Sequence, residues 1–144
     1  MELRRVESLQ RIPSECATIK KLTDSFMHDL ERQGYNSDTM FALALGFSEA
    51  VANAFHHGNQ RDPAKCITVC YRLDSGRAEL EVRDEGAGFD PSQTPDATSD
   101  EGLNRPSGRG VLLMRSLFDH VEFLRGGRCV RLTKQVHPLK ACAA

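Results

Sequence analysis

The spacing of apolar residues changes at about residue 60, and this change constrains the fold more than any other feature of the chain. Residues 13–34 and 36–58 have the apolar spacing of helices, whereas residues 66–73 and 77–84 alternate between apolar and polar side chains. Spacings of three and four residues place side chains on one face of a helix, and alternation places them on one face of a strand. The sequence therefore predicts helices followed by paired strands, packed together as an α+β fold.

Capping residues mark the ends of both predicted helices. A Pro-Ser pair at 13–14 and Gly34 bound the first helix. Asn36 or Ser37 is the expected N-cap of the second helix, and Gly58 is its expected end. The second helix is apolar on nearly every face, which predicts a buried, central position.

Turn residues join the predicted strands into hairpins. The sequence DSG at 74–76 is a hairpin signal between the first two strands. An edge strand, a short helix and a second hairpin are expected at residues 2–9, 111–118 and 120–135. The predicted architecture is a two-layer α/β sandwich, with helices on one face of a mixed, mostly antiparallel sheet.

A long loop separates the two hairpins. Residues 89–110 are rich in Pro, Ser, Asp and Gly, and a loop of this length in a compact domain is commonly functional. We therefore expect a flexible lid there and a frayed tail at about 137–144. The whole chain, 1–144, is expected to form a single domain.

Composition excludes several classes of function. The formal net charge is −1 with both signs mixed along the chain, which disfavours a surface for nucleic acid or membrane. No apolar run approaches the roughly 18 residues of a membrane span, and the N-terminus lacks the apolar core of a signal peptide. The five cysteines form no C-x-x-C pair. We expect a cytoplasmic protein with reduced thiols.

Two polar side chains, Glu49 and Asn53, interrupt the apolar second helix. They are four residues apart and project from the same side. Such a pair commonly forms only the polar edge of a helix. The alternative is that Asn53 offers its amide oxygen to a hard cation such as Mg²⁺, while Glu49 orients or deprotonates a nucleophile. His56 and His57 follow one turn later, and we expect both to be mainly structural.

The second motif, VRDEGAGF, directly follows a predicted strand. Its D-x-G-x-G pattern is common in ordinary turns. Glycines at alternate positions also remove side chains where another molecule approaches the backbone, so Gly86 and Gly88 are compatible with a ligand. Beside them, Asp84 could accept a hydrogen bond from an exocyclic amine such as that of adenine.

The third motif, RPSGRG, precedes the short helix. Gly108 and Gly110 at a helix start leave free N–H groups that favour phosphate, although glycine there is also common as a simple cap or hinge. Arg105 and Arg109 add cationic donors. The chain contains no G-x-x-x-x-G-K-[ST] sequence, which excludes a P-loop, and no Rossmann glycine pattern between a strand and a helix.

In this order and setting, the motifs resemble the Bergerat-fold ATP-binding module of the GHKL superfamily. SEAVANAFHHG resembles the N box, VRDEGAGF the first glycine box and SGRGVLLMRSLFDHVEF the second. Within the superfamily the chain most resembles the bacterial anti-sigma-factor serine kinases. The resemblance covers nearly the whole chain and implies the same α+β sandwich.

The resemblance implies a role for each motif. Glu49 would be the general base, Asn53 would bind Mg²⁺, and Asp84 would recognise the adenine of ATP. The residues implied to surround the rest of the nucleotide are glycines and arginines of the second and third motifs: Gly86, Gly88, Arg105, Gly108, Arg109 and Gly110.

The resemblance also implies a reaction and partners. The γ-phosphoryl of ATP would pass to a serine or threonine of a STAS-domain anti-anti-sigma protein, and the kinase, usually a homodimer, would also bind a sigma factor. One feature departs from the family: residues 85–109 contain no lysine and carry several acidic residues, including Asp96, Asp100 and Glu101. The alternative is a nucleotide-binding anti-sigma or regulatory module without efficient kinase activity, but the presence of Glu49 favours the kinase.

Overall fold

A five-stranded sheet covered on one face by three helices forms the domain. The computed structural model describes residues 5–88 and 108–136. The elements, in chain order, are β1 (Val6–Pro13), α1 (Cys16–Gln33), α2 (Ser37–Asn53), β2 (Cys66–Leu73), β3 (Arg77–Arg83), α3 (Gly108–Leu117), β4 (His120–Leu124) and β5 (Cys129–Gln135). This is the predicted α+β architecture.

The sheet order is β1-β2-β3-β5-β4, so β1 is an edge strand as predicted. All four pairings between these strands are antiparallel, where the sequence predicted a mixed, mostly antiparallel sheet. Hairpins join β2 to β3 and β4 to β5, and β5 pairs beside β3. The ends of β2, β3 and β5 near Cys66, Arg83 and Cys129 therefore lie side by side.

Local chemistry accounts for most helix ends. Asn36 is the N-cap of α2, because its side chain accepts a 2.8 Å hydrogen bond from Thr39 N–H. Gly34 ends α1 in the left-handed conformation, with φ of 71°. The predicted start of α1 at 13–14 is too early, because Pro13 still pairs in β1 and the helix begins at Cys16.

The end of α2 also differs from the prediction. The α-helix stops at Asn53, and Ala54–Gly58 form one π-helical turn. The N–H of Asn59 donates to the carbonyl of Ala54 at 2.8 Å, five residues back. Single π-helical turns of this kind are rare in proteins, and those that occur are often found at functional sites.

The core lies between the helices and one face of the sheet. Phe26 of α1 stacks on Phe47 of α2, with ring centroids 4.1 Å apart, and meets Tyr71 of β2 edge-on at 5.0 Å. Buried Leu80 and Leu132 complete the sheet side of this core. Aromatic pairs add to the stabilisation from burial alone. Because α2 contributes Phe47 to this core between α1 and the sheet, it takes the central position predicted for it.

The opposite face of the sheet is polar. Glu81 of β3, only 9% exposed, pairs with Arg83 and Arg131 and accepts a bond from the Cys129 thiol. The four described cysteines are all free thiols, as predicted. Among the described helices, none combines the length and apolar character needed to cross a membrane.

Several predictions fall outside the residues that the structure describes. They are most of the lid, the tail at 137–144, Cys142 and Arg105. The short helix α3 is described and begins at Gly108, slightly earlier than the predicted 111.

Candidate functional site

A pocket opens where the end of α2, the π-helical turn, the loop after β3 and the start of β5 meet. Small and apolar side chains such as Ala50 and Met114 form much of its wall. A few polar side chains lie among them: Asn53, His57, Asp84 and Arg128. The pocket brings together Asn53, Asp84 and Gly88, which belong to two motifs separated by two strands. Pockets of this kind, apolar with a few convergent polar groups, are the usual form of small-molecule sites.

Gly58 and Gly86 allow close packing around Asp84 at the pocket. A Cβ atom on Gly58 would lie 2.3 Å from Cγ of Asp84, and one on Gly86 would lie 1.9 Å from the carbonyl oxygen of Gly58. Neither position can hold a side chain without moving backbone or the Asp84 carboxyl. The π-helical turn and the loop after β3 therefore touch backbone to backbone, which gives Gly86 a packing role besides its predicted contact with a nucleotide.

Gly88 is fixed by the turn between β4 and β5. Its φ is 80°, and a Cβ atom there would lie 2.3 Å from the carbonyl oxygen of Gly126. Both the left-handed backbone and the close approach require glycine. The D-x-G-x-G pattern is thus shaped by two neighbours, the π-helical turn on one side and the β4–β5 turn on the other.

The Asp84 carboxyl has an unusual electrostatic environment. Burial raises its pKa, although the Gly86 N–H bond to Oδ1 at 2.8 Å and the charges of Arg128 and Lys65 act in the opposite direction. A carboxylate has about four acceptor positions, so Gly86 leaves acceptor capacity directed to the pocket. The arrangement suits a ligand that donates a hydrogen bond, as an exocyclic amine does.

Arg128 forms the rim of the pocket and holds the loop after β3. Its Nε donates to the carbonyl of Gly86 at 2.7 Å, and its Nη2 donates to the carbonyl of Ala87 at 3.1 Å. Its own carbonyl accepts from Asp84 N–H at 2.8 Å. Sequence analysis missed Arg128, because no local pattern distinguishes it from Arg125 in the same turn or from Arg131 in β5.

Asn59 is a second residue that sequence analysis missed. It is fully buried, and its Nδ2 donates to Ser14 Oγ at 2.8 Å and to the carbonyl of Cys66 at 2.9 Å. Its Oδ1 accepts from Glu85 N–H at 2.8 Å. One side chain therefore ties the π-helical turn to the ends of β1, β2 and β3, and no local pattern in the sequence marks it.

Asn53 and Glu49 occupy different positions relative to the pocket. Asn53 is half-buried and lines it. Glu49 is also half-buried, one turn earlier on α2, and lies outside the lining formed by the described residues. Both side chains project from the same side of α2, so a ligand that contacts Asn53 and extends toward the helix start would reach the region of Glu49.

Helix α3 packs against α2. Val111 and Met114 are buried and anchor α3 in the core, and Met114 also lines the pocket. Arg109 is exposed and Gly110 is buried. Gly108 opens this ten-residue helix, so Arg109 and the positive end of the helix dipole lie at the start of an element that lines the pocket through Met114.

The two histidines differ in their surroundings. His56 is exposed and accepts a 3.0 Å hydrogen bond at Nδ1 from Arg61 Nε, and its ring meets Phe55 edge-on. His57 lines the pocket. The prediction of a mainly structural role therefore fits the contacts of His56, and for His57 it stays a prediction.

The donor set fits Mg²⁺ held jointly with a ligand better than a metal held by protein alone. Within residues 5–88 and 108–136, no group of three or more His, Cys, Asp or Glu side chains could hold a metal ion. Mg²⁺ commonly keeps several waters and binds through one or two protein oxygens together with phosphates. The Asn53 amide oxygen suits that arrangement.

Comparison with known proteins gives a family match. Residues 12–134 match the family described as "Histidine kinase-like ATPase domain". An anti-sigma F factor of Geobacillus thermodenitrificans is 35% identical over 110 residues, which cover 72% of this chain and 75% of that protein. The serine-protein kinase RsbW of Bacillus subtilis is 31% identical over 119 residues, covering 74% and 71%.

Other similarities are partial in length. An anti-sigma F factor of Bacillus cytotoxicus is 34% identical over 93 residues, which cover 60% of this chain and 63% of that protein. The crystal structure of the RsbU and RsbW domains of a Mycobacterium tuberculosis protein superposes with a TM-score of 0.62 at 16% identity, covering 92% of this chain and 33% of that one. This structural similarity shows that the two proteins share a fold.

Proposed function

The chain belongs to the histidine kinase-like ATPase domain family, and from this we propose that it is an ATP-dependent serine/threonine protein kinase that acts as an anti-sigma factor. The family implies ATP binding. The observation that carries the proposal is that Asn53 and Asp84 line the same pocket. Asp84 offers a hydrogen-bond acceptor to a nucleotide base, and Asn53 offers an amide oxygen to a metal ion bound to the phosphates.

Asp84 is assigned to adenine and the glycines to the path of the nucleotide. The Asp84 carboxylate accepts a hydrogen bond from the exocyclic amine, and Gly86 and Gly88 are assigned to positions beside the nucleotide, Gly88 as a residue of the pocket wall. Phosphates extend toward the start of α3, where Gly108, Arg109 and Gly110 supply N–H groups and one positive charge. Arg105 is proposed as a further phosphate contact from the lid.

Asn53 and Glu49 are assigned to the chemistry. ATP supplies the phosphoryl group, and Mg²⁺ would neutralise charge on the phosphate oxygens. Asn53 would hold Mg²⁺ through its amide oxygen. Glu49 accepts a hydrogen bond from the attacking hydroxyl of the substrate and takes its proton as the general base.

The proposed substrate is a serine or threonine of a STAS-domain anti-anti-sigma protein, and a sigma factor is the second partner. Relatives carry the names anti-sigma F factor and serine-protein kinase RsbW, which supports a sigma factor as a partner and a serine as the phosphoryl acceptor. We propose in addition that the protein works in the cytoplasm as a homodimer.

Incubation of the protein with γ-labelled ATP, Mg²⁺ and the STAS proteins of the same organism tests the proposal. We expect one STAS protein to acquire label. Glu49→Gln should retain ATP binding and lose transfer by roughly 100-fold or more, the range expected for a general base. The matched control is Glu31→Gln, because Glu31 is exposed on α1.

Three outcomes separate the alternatives. Transfer at the wild-type rate by Glu49→Gln would show that the assigned base is wrong. ATP binding with no label on any STAS protein would indicate a nucleotide-binding module without efficient kinase activity. The acidic, lysine-free sequence of residues 85–109 is the feature that favours this alternative. Absence of nucleotide binding would overturn both functions.

A further inference from the structure

The loop from Asp84 to Gly88 is held by side-chain contacts from the opposite wall of the pocket. Three donors of the Arg128 guanidinium are engaged: Nε with Gly86 at 2.7 Å, Nη2 with Ala87 at 3.1 Å and Nη1 with the carbonyl of Arg125 at 3.2 Å. The planar guanidinium thus spans the gap between the loop after β3 and the β4–β5 turn. A lysine has no comparable rigid set of donors.

The backbone of Arg128 completes the link. Its carbonyl accepts from Asp84 N–H at 2.8 Å, so Arg128 forms hydrogen bonds with the loop at Asp84, Gly86 and Ala87. Gly88 lies against the carbonyl of Gly126 with no room for a Cβ atom between them. The position of the Asp84 carboxyl relative to the backbone at Gly88 therefore depends on the turn that carries Arg128.

We propose that Arg128 is a positioning residue for base recognition, which holds the loop from Asp84 to Gly88 in the shape that reads an adenine ring. This inference rests on the proposed function and adds to it a specificity role for a residue outside the three motifs. Arg128 acts through the Gly86 and Ala87 carbonyls and through Asp84.

The location of the contact predicts which part of the nucleotide is affected. Arg128 holds the loop at the base end of the site, whereas the start of α3 and Asn53 are assigned to the phosphates. Loss of the Arg128 side chain should therefore weaken the binding of adenosine, ADP and ATP by the same factor. A residue that only attracts anions would affect ATP most and adenosine least.

Calorimetric titration of adenosine, ADP, ATP and GTP into wild type, Arg128→Met and Arg128→Lys tests this role. For Arg128→Met we expect all three adenine ligands to bind roughly tenfold more weakly, the equivalent of about one hydrogen bond. The preference for ATP over GTP should fall by a similar factor. Arg128→Lys should recover only part of the loss, because it restores the charge without the fork of donors.

Amide hydrogen exchange in the unliganded protein gives a readout that needs no nucleotide. We expect faster exchange at Gly86 and Ala87 in Arg128→Met. The matched control, Arg72→Met, removes an exposed arginine whose partner is Glu7 on the outer face of the sheet, and it should change neither exchange in this loop nor binding.

Each contrary result has a distinct meaning. A loss that grows with the number of phosphates, or full recovery in Arg128→Lys, would assign Arg128 to general electrostatic attraction and overturn the inference. A lower thermal midpoint with unchanged affinities and unchanged ATP over GTP preference would also overturn it, because the role would then be only structural. If wild type binds no adenine ligand, the proposed function fails together with the inference, whereas binding without kinase activity leaves the inference intact.

Discussion

The Asp84 carboxyl shows how a single residue can favour binding at the expense of stability. Burial raises its pKa in the folded protein above the ordinary value of 3.8. A raised pKa means that the folded state binds the proton more tightly than the unfolded state does, so stability falls as the pH rises through the interval between the two values. At neutral pH the ionised carboxyl therefore destabilises the unliganded fold.

Asp84→Asn tests both effects at once. Asparagine can still accept from Gly86 N–H, so we expect a higher thermal midpoint at pH 7 and a difference from wild type that disappears as the pH falls below 3.8. Adenine binding should weaken roughly 10- to 100-fold, because a hydrogen bond to a charged acceptor is lost. Thermal unfolding between pH 3 and pH 8, with calorimetry of ATP binding, measures both quantities.

The comparison variant for Asp84→Asn is Asp24→Asn, because Asp24 is exposed on α1. It removes the same charge far from the pocket and should leave ATP affinity unchanged. The electrostatic groups that face Asp84 are Arg128 and Lys65, and His57 lines the same pocket. A lower midpoint for Asp84→Asn at pH 7 would contradict the assigned effect of burial.

At the scale of elements, the contact between α2 and α3 sets the geometry of the site. A Cβ atom on Gly46 of α2 would lie 2.1 Å from Cε2 of Phe118, a buried residue just after α3. Gly46 therefore lets Phe118 pack directly on the α2 backbone. Because α2 carries Asn53 and α3 begins at Gly108, this contact fixes the spacing between the proposed metal ligand and the proposed phosphate site.

Gly46→Ala should destabilise the protein although alanine favours helices. The gain in helix propensity is about 1 kcal/mol, and overpacking of a core contact typically outweighs it, so we expect a net loss of about 1–2 kcal/mol. Urea unfolding measures the change. In a Phe118→Leu background, the same substitution should become neutral or stabilising, because the ring that clashes is gone.

The control for helix propensity is Ser48→Ala, at an exposed position of α2. It should stabilise the protein slightly or leave it unchanged. An equal loss for Gly46→Ala in both backgrounds would show that the contact with Phe118 does not limit this position.

At the scale of the whole molecule, nucleotide binding and folding are linked. A ligand that binds only the folded state raises its stability by about 2.7 kcal/mol at a concentration one hundred times its dissociation constant. The pocket joins α2, the π-helical turn, the loop after β3 and the start of β5, so a bound nucleotide should stabilise the domain as one unit.

Asn53→Ala separates the two ends of the nucleotide in this linkage. We expect wild type to gain thermal stability from adenosine and more from ATP with Mg²⁺. The variant should lose the additional stabilisation by Mg²⁺-ATP and keep that by adenosine, because Asp84 is intact. Differential scanning calorimetry at several ligand concentrations measures both, and a variant that keeps the full Mg²⁺-ATP effect would rule out Asn53 as the metal ligand.

The local part of the fold was predictable from the sequence. Helices, hairpins and the Asn36 cap depend on side chains within a few residues of one another, and periodicity and turn residues record such interactions directly. The N-terminal edge strand was also predicted, although it ends at Pro13 and not at the predicted residue 9. The order of the three motifs was enough to indicate the family.

Only the tertiary structure decided how the motifs form a pocket. Arg128 and Gly86 are 42 residues apart, and Asn59 and Ser14 are 45 apart. Contacts over such separations depend on strand order and on a single π-helical turn, for which neighbouring residues give no signal. The sequence by itself therefore determined the elements and the kinds of residue at the site, because these follow from local chemistry. The tertiary structure decided which residues hold Asp84 in place, because close packing between distant segments leaves no periodic pattern in the chain.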